Sequence, residues 1–443
     1  MNAQNLYLVQ APGGSGKTLA FIIPALIYVM KNYDGKPNHR HESKMDRGKK
    51  VLTWHYSPRV IIIGDTKVLI EQLYNQVIKC LPEGDDNWNQ KITVTTLYSG
   101  ETRLDKFGEI LICTTQILNT LMNAKKDHIY VDKVGLLITD EAELLYEKIP
   151  EHLTPIIEAV AANKISSYIA ASATLTNEFS KFSKETFFGK SSNKNAIESR
   201  LNLTLEGVTQ YVVELNNYQR DQELQEVVDE IKKLLQYTYL EAKLQTQIMI
   251  FVDSIRTLDF INDELLKDIE LTQGPSKIKF DVIHSRMCTK IVNGNKVTDA
   301  KEQNKRLKST YNDFRDNKFQ LLLCTDIMAR GIDIENVGLV INVFSPRKNT
   351  NDNRSEIDPA IYMHRIARTG RYKSQGISLQ FRRSEKSQFF EIKDSKLSDA
   401  LIDKFPLLKD NKICELKMGS DYIKTVVEQA NKAVAFNKLQ KDK

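Results

Sequence analysis

The feature that most constrains this chain is a recurrence of short unbroken apolar runs, such as Val60-Ile61-Ile62-Ile63 and Ile110-Leu111-Ile112-Cys113, between stretches with helical spacing. Such runs suit strands buried on both faces, as in parallel sheets. Parallel strands need long crossovers, and helices are the usual ones. The pattern therefore predicts an α/β architecture of open parallel sheets covered by helices. Strands are expected at 6–9, 60–63, 92–95, 110–113, 136–139 and 168–171, and a second series at 247–251, 280–283, 320–324, 339–343 and 376–380.

Between the two series lie a polar stretch after about residue 205 and an acidic helical pattern over 221–236. A length of 443 residues accommodates two or three domains. Two consecutive domains are expected, 1–205 and 206–390, joined near 202–220, with an extension at 391–443. Ile423, Val426, Val427, Ala430, Ala433 and Val434 have helical spacing within 420–436, so the tail should pack as a helix on the second domain. The longest apolar stretch, 21–30, is far short of the roughly 20 residues that span a bilayer, and no membrane partner is expected. The N-terminus lacks the character of a secretory or import segment. Five cysteines without metal-type pairing suggest reduced, buried intracellular thiols.

The formal charge of +6 is unevenly placed: residues 301–390 carry a net +7, and 31–50 hold seven basic residues against three acidic ones. The 31–50 segment lacks apolar periodicity and contains Gly, Pro, Asn and Ser, so it reads as a mobile loop, either simply solvated or contacting phosphate.

Ala11-Pro12-Gly13-Gly14-Ser15-Gly16-Lys17-Thr18 follows one expected strand and opens a helical run. A glycine-rich turn in that position lets the backbone N–H groups of Gly13, Gly14, Ser15 and Gly16 surround phosphate oxygens. Lys17 would reach the terminal phosphates, and Thr18 would bind Mg²⁺. Leu136-Leu137-Ile138-Thr139-Asp140-Glu141-Ala142-Glu143 places carboxylates at the end of another strand, where ligands bind to open α/β sheets. Asp140 is placed to hold Mg²⁺ through water, and Glu141 to orient and deprotonate an attacking water.

Tyr362-Met363-His364-Arg365-Ile366-Ala367-Arg368-Thr369-Gly370-Arg371 resembles the arginine motif of superfamily 2 helicases, and specifically that of the DEAD-box RNA helicases. The other motifs stand in the family's order: Asp65-Thr66-Lys67 through Gln72, Ser99-Gly100, Thr114-Thr115-Gln116, Ser172-Ala173-Thr174, Phe251 to Ser254, Gln303 through Arg306, and Thr325-Asp326 through Asp333. The resemblance covers about residues 6–385. It implies two tandem RecA-like domains with a helical C-terminal tail, ATP and Mg²⁺ as cofactors, and a monomer that grips RNA without reading its sequence. Arg368 and Arg371 would reach the γ-phosphate as arginine fingers when the domains close. Asp333 would bind the ribose, and His364 would link to the acidic box at Glu143. Ser172 and Thr174 would couple closure to RNA. Thr66, Lys67, Gly100, Thr114, Arg306 and Thr325 match positions that hold the RNA backbone. The implied action is local strand separation or protein removal, with hydrolysis releasing the RNA.

Several positions depart from the family pattern. Glu143 stands where the family has Asp, lengthening the arm toward His364. Gly13 replaces Thr, Val68 replaces Glu, and Thr115-Gln116 replaces Pro-Gly. Ala367 replaces Gly, which is tolerable only at negative φ. The chain begins just before the first strand, so the upstream helix and glutamine motif that read adenine are expected to be missing; the front edge is truncated or adenine selectivity is relaxed. A polar insertion at 346–360 reads as a disordered surface loop. Two alternatives stay open: a catalytically weak RNA-clamping assembly factor, and a superfamily 2 DNA helicase. The tail's sharper alternative is an RNA-contacting extension. The acidic box and the segment from Ser172 to Phe179 most resemble fungal mitochondrial members that assist large ribosomal subunit assembly, which implies a ribosomal or RNA–protein assembly substrate; otherwise the compartment is nuclear or cytoplasmic.

Overall fold

The short apolar runs become strands. The computed structural model describes residues 4–11, 15–36, 38–46, 49–83, 88–98, 108–124, 128–131, 133–189, 195–200, 207–216, 220–244, 246–274, 277–284, 287–292, 295–298, 300–326, 337–347, 357–370, 374–383, 397 and 413–441. The chain divides into two compact units, Met1–Asn202 and Leu203–Lys443.

The first unit contains β1 (Asn5–Gln10), β2 (His39–Asp46), β3 (Lys49–Tyr56), β4 (Val60–Ile63), β5 (Val94–Leu97), β6 (Ile110–Cys113), β7 (His128–Ile129), β8 (Leu136–Asp140), β9 (Ser167–Ser172) and β10 (Asn195–Arg200). Seven of these form one parallel sheet in the order β10-β1-β9-β8-β4-β6-β5. Ile62, Ile112 and Ile138 pack on one face beneath α1 (Lys17–Lys31) and α2 (Lys67–Lys79). Ile61, Leu111 and Leu137 face the other way, toward α4 (Thr115–Met122), α5 (Ala142–Lys148), α6 (Pro150–Ala161) and α7 (Asn177–Phe188). This two-sided burial is why the runs are continuous and do not alternate. The single-turn helix α3 (Trp88–Lys91) is closed by the Ile92 N–H, which donates to the Trp88 carbonyl over 2.8 Å, so β5 begins at Val94 and not at 92.

The second unit repeats the plan with β11 (Val208–Glu214), β12 (Gln247–Val252), β13 (Phe280–Ile283), β16 (Leu321–Cys324), β17 (Val337–Val343), β18 (Gly376–Arg382) and β19 (Ile413–Leu416). They form a parallel sheet ordered β13-β16-β12-β17-β18-β11-β19, beside a separate antiparallel pair, β14 (Thr289–Val292) and β15 (Asn295–Thr298). One face packs against α8 (Arg220–Leu235), α9 (Ile255–Leu266) and α10 (Ile269–Gln273). The C-terminal helix Ser420–Lys441 joins this core through Tyr422, Ile423, Val426, Val427 and Ala430. α11 (Ala300–Arg315) lies beside β13, and α12 (Pro359–Ile366) packs with Val208 in a smaller cluster.

Four expectations change. The 31–50 segment is not a loop throughout, because His39–Asp46 pairs antiparallel with Lys49–Tyr56 over eight residue pairs. The stretch 202–220 contains β11, whose polar Gln210 is buried and hid the strand from a hydrophobicity pattern. In the 346–360 insertion, Arg347 bridges Ile357, and Ile357, Asp358 and Ala360 are buried; residues 348–356 lie outside the described residues. The five cysteines are free thiols, but only Cys113 and Cys324 are buried, whereas Cys414 is exposed. Among the described residues, no helix is long and apolar enough to cross a membrane.

Candidate active site

Adjacent strands β1, β9 and β8 bring three motifs to the same end of the first sheet. After β1, the chain reaches Gly16 at φ +91°, a left-handed conformation that suits glycine and starts α1 at Lys17. Gly13 and Gly14 lie outside the described residues. The Lys17 ammonium donates to the Ala11 carbonyl, folding back over its own loop. The Ala11 N–H donates to the Ser172 carbonyl over 3.2 Å, and the Leu175 N–H donates to Gln10 Oε1 over 3.0 Å. These two bonds clasp the start of the phosphate loop to the turn holding Ser172 and Thr174. That turn is tightened where the Thr174 N–H donates to Ser172 Oγ over 3.3 Å. In the sequence, Gln10 shows only as a polar residue closing an apolar strand.

β8 ends at Asp140, and Glu141 adopts a left-handed φ of +53° before α5. A non-glycine residue held there stores strain of order 1 kcal/mol. Its N–H donates to Asp140 Oδ1 over 3.1 Å, fixing one carboxylate relative to the other. Asp140, Glu141 and Glu143 are all buried. Burial, and then the adjacent Glu141 carboxylate, push the Asp140 carboxyl up to about 7, against the opposing pull of Lys17 and the Glu141 N–H. A buried carboxylate and the half-buried Thr18 hydroxyl are hard oxygen donors that suit Mg²⁺. Among the described residues, no cluster of three His, Cys, Asp or Glu forms a protein-only metal cage, so the ion would take its remaining ligands from phosphate and water.

The neighbouring strands β4, β6 and β5 end in the segments matched to RNA contacts. Thr66 caps α2, its hydroxyl accepting from the Leu69 N–H over 3.3 Å. Lys67 opens that helix, with its ammonium 4.3 Å from the centroid of the Tyr98 ring after β5. Thr114 occupies the N-cap position of α4, and its N–H donates to the Leu97 carbonyl over 3.2 Å. Asp65 receives Lys148 of α5 at 2.8 Å, which connects this half of the edge to the acidic box. Gly100 lies outside the described residues.

In the second unit, His364 and Arg368 are buried at the C-terminal end of α12, and Arg368 Nε donates to the His364 carbonyl over 3.2 Å. Ala367 has φ −69°, so its methyl is accommodated without backbone strain. Gly370 has φ +63°, and a Cβ there would lie 2.6 Å from Val208 Cγ2. Arg365, which the sequence reading left without a role, is fully buried: Nε contacts Asp326 Oδ1 at 2.6 Å, while Nη1 and Nη2 donate to the Phe344 and Val252 carbonyls at 3.4 and 3.5 Å. One guanidinium thus ties α12 to the ends of β16, β17 and β12. The Thr325 N–H donates to the Ile283 carbonyl over 3.2 Å. Arg306 pairs with Asp281 of β13 at 2.7 Å and is nearly half exposed. Asp333 and Arg371 lie outside the described residues.

Two RecA-like parallel sheets, one ending in a phosphate loop and an acidic strand end and the other in an arginine motif, define a superfamily 2 helicase. The chain matches the family DEAD/DEAH box helicase over residues 2–182 and helicase conserved C-terminal domain over residues 226–373. It belongs to the DEAD-box family of RNA helicases. Relatives include the pre-mRNA-splicing ATP-dependent RNA helicase PRP28 of Saccharomyces cerevisiae, 26% identical over 383 residues, covering 85% of this chain and 55% of the relative. The probable ATP-dependent RNA helicase DDX52 of Bos taurus is 28% identical over 385 residues, covering 84% of this chain and 52% of the relative. The chain therefore spans about half the length of these relatives. The fold is similar to S. cerevisiae Dbp5 bound to RNA and ADP BeF3, with a TM-score of 0.66, 19% identity, and coverage of 96% of this chain and 89% of that one. Mss116p bound to ssRNA and AMP-PNP is similar at a TM-score of 0.66 and 20% identity, covering 97% of this chain and 74% of that one.

Proposed function

We propose that this chain is an ATP-dependent RNA helicase that clamps the RNA backbone, separates strands locally or remodels RNA–protein complexes, and hydrolyses ATP as its two units close. The observation that carries the reading is the division of one sheet edge. β1, β9 and β8 present Lys17, Ser172 and Asp140, and β4, β6 and β5 present Thr66, Thr114 and Tyr98 on the same side.

An incoming nucleotide competes for Lys17, drawing its ammonium from the Ala11 carbonyl to the β- and γ-phosphates. Asp140 and Thr18 would hold Mg²⁺, which supplies charge neutralisation on the phosphate oxygens. Glu141, fixed by its turn beside Asp140, orients the attacking water and accepts its proton. Arg368 and Arg371 complete the charge stabilisation from the second unit. The Ser172–Ala11 and Gln10–Leu175 bonds supply a short route by which RNA at the Ser172–Thr174 turn alters the phosphate loop.

ATPase assays with and without single-stranded RNA test this reading. RNA should stimulate turnover, and Lys17→Ala should abolish it; turnover indifferent to RNA would reject the helicase assignment. A low-turnover clamp is the second reading, favoured by buried Glu143, whose side chain is one methylene longer than the family's Asp. If that length limits coupling, Glu143→Asp will raise RNA-stimulated turnover. The narrower assignment, a monomer acting in mitochondrial large-subunit assembly, rests on the acidic box and the segment from Ser172 to Phe179. Co-sedimentation with mitochondrial ribosomal precursors tests it.

A further inference from the structure

The β2–β3 ribbon has no part in the proposed reaction, yet it interrupts the first unit between the phosphate-loop helix α1 and β4. Its base is firmly built. The Ser57 N–H donates to the Asn38 carbonyl over 2.9 Å, and both Asn38 Nδ2 and the buried Tyr56 hydroxyl donate to the Gly108 carbonyl. β3 then pairs in parallel with β7, His55 opposite His128 and Tyr56 opposite Ile129. Each arm of the ribbon has eight residues, so it extends roughly 26 Å.

The base position separates this ribbon from the motif-lined edge. Gly108 lies two residues before β6, and β4 begins four residues after Tyr56, so the ribbon is rooted where the sheet strands start. The phosphate loop, Asp140, Ser172, Thr66 and Thr114 lie where those strands end. A four-residue strand places about 10 Å between the two edges.

In the backbone register, Arg40 stands opposite His55, Lys44 opposite Val51, Lys49 opposite Asp46 and Lys50 opposite Met45, so basic positions recur along both arms. Lysines also protect unpaired strand edges from aggregation, and that role needs only a few scattered charges. In sequence, residues 39–56 hold five basic residues, Arg40, Lys44, Arg47, Lys49 and Lys50, against Glu42 and Asp46, together with Trp54, a composition that suits a strand that offers phosphates and stacking bases.

We infer that the β2–β3 ribbon is a second RNA-binding element, holding the backbone of RNA that lies outside the motif-lined edge. The inference rests on the RNA-helicase reading. Such an element adds affinity for long RNA without sequence preference and without dependence on ATP.

The test compares the parent with a Lys44→Glu/Lys49→Glu/Lys50→Glu variant, and with a variant in which an Asn-Gly turn joins Arg40 directly to His55. Melting curves check that both fold. Affinity for fluorescent single-stranded RNA is titrated against salt, using a short strand that fills only the motif-lined edge and a longer one. The triple variant should bind the long strand roughly tenfold more weakly, with the slope of log affinity against log salt shallower by about two. Short-strand binding and RNA-saturated ATPase should match the parent in both variants. Unchanged long-strand affinity and slope would overturn the inference and assign the ribbon to a protein partner. Equal losses on both strands would also overturn it, placing the ribbon in the motif-lined groove. A parent that binds neither RNA would reject the helicase reading and this inference together.

Discussion

Burial raises the Asp140 carboxyl, and the Lys17 ammonium opposes that rise. Asp140 sits at about 7 in the folded chain, above its ordinary 3.8, so folding favours its protonated form. The stability this contributes is fully present below 3.8 and is lost as pH rises through about 7. Asp140→Asn should therefore stabilise the nucleotide-free protein at pH 8, by on the order of 2 kcal/mol, and the gain should vanish near pH 4; thermal melts across pH measure it. Binding of the Mg²⁺–nucleotide should also release a proton near neutrality, seen as a buffer-dependent heat that the variant lacks. Gly370 makes a different kind of demand, through φ +63° and the crowding of Val208. Gly370→Ala should lower stability by about 1–3 kcal/mol in denaturant titrations. Lys17, Asp140 and Glu141 stand out in the sequence because each lies in a short stretch whose spacing is itself the signal. Arg365 does not, since its partners Asp326, Phe344 and Val252 are distant in sequence and only the folded sheet gathers them.

At the scale of elements, the ends of β12, β17 and β18 are locked by a second arginine. Arg383 lies 3.5 Å from the Phe344 ring centroid, 3.3 Å from Asp253 and 3.7 Å from Glu223 of α8. Phe344 itself has φ +67°, so one arginine holds the carbonyl and the other the ring of one strained residue. Arg383→Met would leave the buried Glu223 carboxylate without this cation and should destabilise the second unit by about 3 kcal/mol, measured by urea unfolding. Arg383→Lys should lose less. The C-terminal helix Ser420–Lys441 belongs to the same core, with the Tyr422 hydroxyl donating to Glu230 over 2.7 Å. Truncation before Ser420 should expose that apolar face and yield an aggregating protein, judged by light scattering. Periodicity located this helix and most central strands, because burial on fixed faces leaves a period in the sequence. It missed β10, whose residues are mostly exposed, since an edge strand with little to bury leaves no such period.

For the whole molecule, the proposed reaction draws on residues of both units, Lys17, Asp140 and Glu141 from one and Arg368 from the other. Arg368→Ala should reduce RNA-stimulated turnover by roughly 10³-fold while nucleotide affinity remains close to the parent's, distinguishing a finger from a binding residue. Parallel ATPase assays and nucleotide titrations decide this. The sequence alone determined the α/β class and the presence of two sheets, because apolar runs encode burial directly, and its local spacings carry the proposed chemistry of the phosphate loop and acidic box. Tertiary structure alone decided that β1, β9 and β8 bring the phosphate-loop, Ser172 and acidic-box stretches to one half of an edge while β4, β6 and β5 form the other half. It also decided that Arg365 is a buried tie and that much of the 31–50 segment is one arm of a ribbon. Strand order, long-range ion pairs and the pairing of polar strands depend on contacts between residues far apart in the chain, and no local period records them.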